Sequence, residues 1–177
     1  GVSRGISLKN AWGLMQENNV VTLPCVTEEG LLEGVITIGD ITKSYMNLYD
    51  SSIISKACTK YANILDTLEG SMVVGDSETY FDQGKVLIAA ANPDLMENYI
   101  EKHDLVILGN RYESQLCAIE MEAGCIIVCE GAGVSLPIRK LAQERGCAVI
   151  TTPYDTYTTA RLINQSMPIS YFMTKEN

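Results

Sequence analysis

The sequence predicts an α/β protein: a βαββα motif over residues 1–58, followed by a βα repeat with a mainly parallel sheet. Three observations predict it. The opening residues read as an extended segment, then helix, strand, turn, strand, helix. Further on, short unbroken apolar runs recur about every 20 residues with helical patterns between them, the rhythm of βα units. Those runs do not alternate with polar residues, as expected of strands covered on both faces. The chain has 177 residues, 46% of them hydrophobic, enough to bury a sizeable core.

Ser7 is placed to cap a helix in which Leu8, Ala11, Trp12 and Met15 recur at helical spacing, and Asn18-Asn19 ends it. Val20–Val26 reads as a strand, with Pro24 implying an edge or irregular position. Glu28-Glu29-Gly30 is a turn and Leu31–Thr37 a second strand. A helix is expected from Asp40, with Ile41, Tyr45, Leu48 and Tyr49 on one face. The change of rhythm puts a boundary near residues 52–65. Ser71–Gly75 and Lys85–Ala91 read as strands, and Asn92-Pro93-Asp94 opens a helix containing Leu95, Met96, Tyr99 and Ile100. Leu105–Leu108, Gly124–Cys129 and Cys147–Thr151 are the clearest strands. Helices are expected from about Tyr112 to Glu122, through Ile138, Leu141 and Ala142, and over Thr156–Gln165 with Ala160 and Ile163 inward.

Composition excludes several classes. The net charge of −9 argues against nucleic acid or an anionic membrane as partner. No apolar run reaches the roughly 18 residues of a membrane helix. The start carries no signal peptide. It also lacks Met, and the end stops without a turn or cap, so a piece of a longer polypeptide is expected. The six cysteines form no Cys-x-x-Cys pattern and read as small buried hydrophobes in a reducing cytoplasm. Cys125 and Cys129 on one strand would stand roughly 13 Å apart, too far to share a metal. With a single histidine, zinc is not expected.

The strongest constellation is Gly34-Val35-Ile36-Thr37-Ile38-Gly39-Asp40. A strand ends and a helix begins here, and a helix N-terminus offers free N–H groups and partial positive charge to a phosphate. Thr37 can donate its hydroxyl to a phosphate oxygen. Asp40 can accept from a ribose diol, as acidic residues do in dinucleotide sites. Leu23 and Pro24 would pack beside an adenine ring. The plainer alternative is that Gly34 belongs to a turn and Asp40 only caps the helix.

With Ser3-Arg4-Gly5, the helix at Leu8–Gln16, Thr22-Leu23-Pro24 and the Gly-x-x-Thr-x-x-Asp signature at Gly34–Asp40, the opening resembles a CBS motif. CBS motifs pair in tandem around an adenosine nucleotide. Gly109-Asn110-Arg111-Tyr112-Glu113-Ser114-Gln115, Gly131-Ala132-Gly133 and Thr152–Ala160 are similar to a DRTGG domain, although the eponymous motif is absent. Met167–Asn177, with Met173-Thr174, resembles the opening of a second CBS motif. The implied division is 1–58, 59–166 and 167–177. This order resembles the regulatory insert of CBS-containing family II inorganic pyrophosphatases.

The resemblance implies a regulatory region with no catalytic site of its own. Its ligands would be AMP, ADP or a diadenosine polyphosphate, held by Ser3, Gly5, Thr22, Leu23, Pro24, Thr37, Asp40, Thr174 and Asn177. It further implies a cytoplasmic homodimer controlling catalytic domains of the same polypeptide, a manganese-dependent hydrolase whose metal would sit only there. Catalysis of that kind needs clustered His and Asp ligands, which one histidine cannot supply.

Weaker candidates each have a structural reading. His103 reads as a lone residue at a helix end. Gly131-Ala132-Gly133 reads as a tight turn or, without a following lysine, a poor phosphate loop. Asp155 reads as a helix cap or part of an anion site. Tyr45, Tyr49, Tyr154 and Tyr157 suit packing or an interface better than stacking on a ligand. The main alternative function is a structural dimerisation module with a vestigial nucleotide site. An acyl or phosphoryl transferase would need a converging base and nucleophile, and the sequence offers no such set.

Overall fold

Ser7 starts the first helix through its hydroxyl, which accepts from the Asn10 N–H at 3.1 Å. The computed structural model describes residues 1–46, 50–89 and 93–175, without the side chains of 46, 174 and 175. Helix α1 (Leu8–Asn18) buries Leu8, Ala11 and Met15, and leaves Trp12 exposed at the margin of that stripe. Asn19 closes it in the left-handed region (φ 50), and the Val20 N–H reaches back to the Met15 carbonyl.

Strands β1 (Thr22–Val26) and β2 (Leu32–Thr37) form an antiparallel hairpin, with Thr22 opposite Thr37 and Pro24 opposite Val35. Leu23, Cys25 and Ile36 face the core, while Thr22 and Pro24 lie exposed on the other face. The Pro24 carbonyl accepts from Val2 on the outer flank of β1. Its missing N–H therefore points away from β2, which is why the proline is tolerated. Helix α2 (Ile38–Met46) begins two residues before Asp40. Leu48 and Tyr49 lie outside the described residues, as do Ala91 and Asn92.

The expected boundary is folded structure. Helix α3 (Ile53–Lys56), strand β3 (Thr59–Lys60) and helix α4 (Tyr61–Leu68) occupy it. Ile53, Ile54, Tyr61, Ile64 and Leu68 are buried. After β4 (Ser71–Val74), β5 (Tyr80–Phe81) pairs with β3, and β6 (Val86–Ile88) starts the βα repeat. There follow α5 (Pro93–Met96), β7 (Leu105–Leu108), α6 (Tyr112–Glu120), β8 (Cys125–Val128), α7 (Leu136–Arg145), β9 (Ala148–Thr151) and α8 (Thr156–Leu162). Helix α5 is shorter than the apolar spacing predicts. The Asn98 and Tyr99 N–H groups bond three residues back, tightening the chain into turns, and Leu95 and Tyr99 are exposed. Thr156–Gln165 likewise ends as a 3-10 turn over Ile163–Ser166.

The main sheet has the order β4-β9-β8-β7-β6, parallel from β6 to β9, with β4 antiparallel at its edge. Successive βα units step in one direction, so α5, α6 and α7 cover one face, packing on Val106, Leu108, Ile126, Val128 and Val149. The opposite face, with Leu105, Ile107, Cys125, Ile127 and Ile150, belongs to one apolar cluster with Leu8, Cys25 and Ile36 of the opening motif.

The chain then returns to its start. Residues 167–170 pair with 4–8: Leu8 N–H to Met167 O at 2.9 Å, Ile169 N–H to Ile6 O at 2.9 Å and Ser170 N–H to Arg4 O at 3.0 Å. Strand β10 (Thr174–Lys175) then adds to the free flank of β2, giving the sheet β1-β2-β10. The stretch resembling a second CBS motif thus begins by completing the sheet of the first.

Candidate functional site

Thr37 ends β2 and caps α2. Its hydroxyl accepts from the Asp40 N–H at 3.1 Å, and the Asp40 carboxylate accepts through Oδ2 from the Thr37 N–H at 2.9 Å. This reciprocal pair is a capping box. It moves the helix start from Asp40 to Ile38 and makes Thr37 the cap. Asp40 is the third helical residue and is buried at 8% exposure. The Ile38 N–H is taken by the Val21 carbonyl at 3.0 Å. Among the described residues nothing accepts from the Gly39 N–H, and Gly39 is exposed, with only the Thr37 hydroxyl oxygen, at 3.5 Å, near where a Cβ would stand. The free donor of this helix start is therefore Gly39, a residue missed in reading the sequence. Its signal was present: in a Thr-x-x-Asp box, the residue before the acid keeps its amide.

The structure brings together part of the expected set. Thr22 stands opposite Thr37 at one end of the hairpin. Pro24 and Thr174 flank Val35 from either side of β2, two residues further along. Asn177 lies outside the described residues. Leu23 and Pro24 lie on opposite faces of β1, Leu23 toward the core at 9% exposure and Pro24 exposed. Ser3 and Gly5 lie further from Thr37. The Val2–Cys25 bridge is parallel, so Ser3 runs on toward the turn of the hairpin, away from Thr22. Both residues line a separate cavity of about 780 Å³ with Arg4, Lys60 and Asn63. The two cations there are paired with carboxylates, Arg4 with Glu33 and Lys60 with Glu78.

The βα loops serve structural ends. The Gln115 amide braces its loop by donating to the Gly109 carbonyl at 3.2 Å. Around Gly131-Ala132-Gly133, the Glu130 and Gly131 N–H groups are taken by the Tyr154 and Thr152 carbonyls, at 2.8 and 2.9 Å, so this turn has spent two amides a phosphate loop would need. Ligand crevices in open α/β sheets form where the strand order reverses, and β6 to β9 run in one direction. Asp155 caps α8 by accepting from the Thr158 N–H at 2.7 Å, and the bonds from Thr158 hold its carboxyl below the usual range. His103 adopts φ 74 at a corner where Gly84 and Gly124 press against its backbone. Among the described residues no three His, Cys, Asp or Glu side chains gather as a metal site. No helix among them is long and apolar enough to cross a membrane.

Residues 2–47 match the CBS domain family, and residues 63–166 match the DRTGG domain family. The chain is 38% identical over 172 residues to a cobalt-dependent inorganic pyrophosphatase of Clostridium perfringens, covering 97% of this chain and 31% of that protein. It is 27% identical over 163 residues to a probable manganese-dependent inorganic pyrophosphatase of Thermotoga maritima, covering 92% of this chain and 30% of that one. It therefore spans less than a third of the length of these relatives. Among solved structures, it superposes with a TM-score of 0.94 on the CBS and DRTGG domains of the regulatory region of the C. perfringens pyrophosphatase. That region is complexed with the activator diadenosine tetraphosphate; identity is 37%, and the match covers 99% of this chain and 76% of that one. With more than half of its length in the DRTGG match, the chain belongs to the DRTGG domain family and carries a CBS domain ahead of that domain.

Proposed function

We propose that this chain is the adenine-nucleotide-sensing regulatory region of an inorganic pyrophosphatase. The observation that carries the reading is the near-complete superposition on a pyrophosphatase regulatory region that holds diadenosine tetraphosphate. The Thr37–Asp40 box supports it locally. Thr37 and the Gly39 N–H face a phosphate, and the Asp40 carboxylate has a second oxygen for a ribose hydroxyl. Pro24, Thr22 and Thr174 line the sheet beside it, and Asn177 follows. AMP and ADP bind the same place, and the longer diadenosine polyphosphate joins two such cavities.

Control runs by population shift, because the ligand prefers one arrangement of the CBS motifs and so biases the attached catalytic domains. Those domains hold the divalent metal, manganese or cobalt in the two relatives. The reading extends to a homodimer in the cytoplasm, with the sheet face that exposes Thr22 and Pro24 available to a second copy.

Calorimetric titration of the full-length polypeptide with AMP, ADP, ATP and diadenosine tetraphosphate tests this. Saturable binding is expected, with phosphate release from pyrophosphate changing as sites fill. If no nucleotide binds or raises the melting temperature, the dimerisation module with a vestigial site takes its place.

A further inference from the structure

The side-chain amide of Asn63 sits where the two parts of the chain meet. Its Nδ2 donates to the Gly5 carbonyl at 3.0 Å and to the Ser166 carbonyl at 3.1 Å. The amide orientation is fixed by chemistry, because carbonyls only accept and Nδ2 has two hydrogens to give. One nitrogen on α4 therefore holds the loop that leads into α1 and the segment that leaves the parallel sheet. From Ser166 the chain pairs with residues 4–8 and runs directly into β10, which lies on β2. Strand β2 ends at Thr37. Backbone pairing together with short runs of chain thus joins Asn63 to the capping box at the proposed nucleotide site.

We propose that Asn63 is a positioning residue for regulation: it transmits the state of the nucleotide site to the DRTGG domain by holding Gly5 and Ser166 in one clamp. The inference rests on the nucleotide-sensing reading. Asn63 does not line that site, so its loss spares binding and weakens the response. In Asn63→Asp the donors become acceptors facing two carbonyls, and the clamp opens against repulsion. In Asn63→Ala the two carbonyls lose their shared donor. Asn63→Gln keeps both hydrogens on a longer arm and restores part of the function.

The test uses the full-length polypeptide with diadenosine tetraphosphate. Activity is measured with saturating nucleotide and without it, and affinity is measured by calorimetry. Asn63→Ala and Asn63→Asp should keep basal activity and bind within about threefold of the parent, while the ratio of regulated to basal activity falls by about 3- to 10-fold. Lys85→Met, which breaks the ion pair between Lys85 and Asp104 and touches neither carbonyl of the clamp, serves as a destabilised control and should keep the ratio. An unchanged ratio in Asn63→Ala and Asn63→Asp overturns the proposal, as does an equal fall in Lys85→Met. Should the variants fail to fold, amide exchange on the parent decides: nucleotide must alter protection over residues 61–68, and no change there overturns it. A parent that binds no nucleotide fails the sensing reading itself, a result distinct from binding without coupling.

Discussion

Thr37 and Asp40 hold each other's backbone N–H groups: Asp40 Oδ2 accepts from the Thr37 N–H at 2.9 Å and Thr37 Oγ1 from the Asp40 N–H at 3.1 Å. The acid of the proposed site is thus fixed in place by the residue proposed beside it at a phosphate. A carboxylate oriented in advance binds with less ordering cost. The box also means that substitution at Asp40 disturbs both folding and binding, and the two must be separated.

Asp40→Ala should lower the melting temperature, at a cost of about 1 kcal/mol for a lost cap interaction. It should also weaken AMP binding by roughly 10- to 100-fold, given about 1.5–3 kcal/mol for a hydrogen bond to a charged group. Asp40→Asn keeps an oxygen for the Thr37 N–H, so folding should be nearly retained while affinity still falls. Calorimetry and thermal unfolding on the same samples check this. Parent-like AMP affinity in Asp40→Asn would leave Asp40 with a capping role alone.

The Gly-x-x-Thr-x-x-Asp pattern was legible because its interactions are local, within four residues of chain. The strands at 105–108, 125–128 and 148–151 were legible because burial on both faces leaves an unbroken apolar run. Leu23 and Pro24 face opposite sides of β1 because neighbours in a strand alternate. The parallel Val2–Cys25 bridge, which directs Ser3 toward the hairpin turn, leaves no local trace in the sequence. Helix α4 carried its signal in Tyr61, Ile64 and Leu68, but it lies across the change of rhythm between the two patterns and belongs to neither repeat. The Asn63 clamp depends on carbonyls 58 and 103 residues away, beyond any sequence window.

Gly124 should resist substitution for steric reasons. A Cβ there would lie 2.7 Å from the His103 carbonyl oxygen, a backbone atom that cannot rotate aside. His103 is itself held in the left-handed region, with its N–H on the Glu122 carbonyl. Gly124→Ala should cost about 1–3 kcal/mol as an overpacked contact. The open position Gly109 has nothing within 4 Å of a Cβ and a negative φ, so Gly109→Ala should be near neutral. Comparing the two melting temperatures checks the argument, and equal losses would refute it.

The cysteines should differ widely in reactivity. All six are free; Cys58 is exposed, while Cys25, Cys125, Cys129 and Cys147 are buried. Burial pushes the Cys125 thiol well above its ordinary value and the Cys147 thiol up to about 12. Since the thiolate is the nucleophile, a native sample at pH 8 should alkylate first at Cys58. Cys125 and Cys147 should react only on unfolding. Mass spectrometry after timed iodoacetamide treatment reads the order, and early labelling of Cys125 would contradict the packing described.

Asp104 and Lys85 form the most buried ion pair in the described residues, and its two halves should not be equivalent. Asp104 is 2% exposed and accepts from the Lys85 ammonium at 2.6 Å, the Lys85 N–H at 3.0 Å and the Glu101 N–H at 2.8 Å. In Asp104→Asn, one acceptor becomes an NH₂ group that must face a donor, and the ammonium keeps only the more distant and exposed Glu101 carboxylate, at 3.5 Å. Loss of one member of a buried pair costs about 3–5 kcal/mol. Lys85→Met should cost less, because two backbone N–H groups still hold the carboxylate. Burial acts to lower the Lys85 pKa, but the bond to Asp104 and the charges of Asp104 and Glu101 outweigh it, and the net shift is upward. A raised folded pKa gives stability that is fully present below the ordinary lysine value of about 10.4 and is lost as pH rises through the folded value. The parent should therefore lose stability above about pH 10 more steeply than Lys85→Met does. Urea unfolding across that range measures both slopes, and parallel curves would show that the pair adds nothing beyond its neighbours.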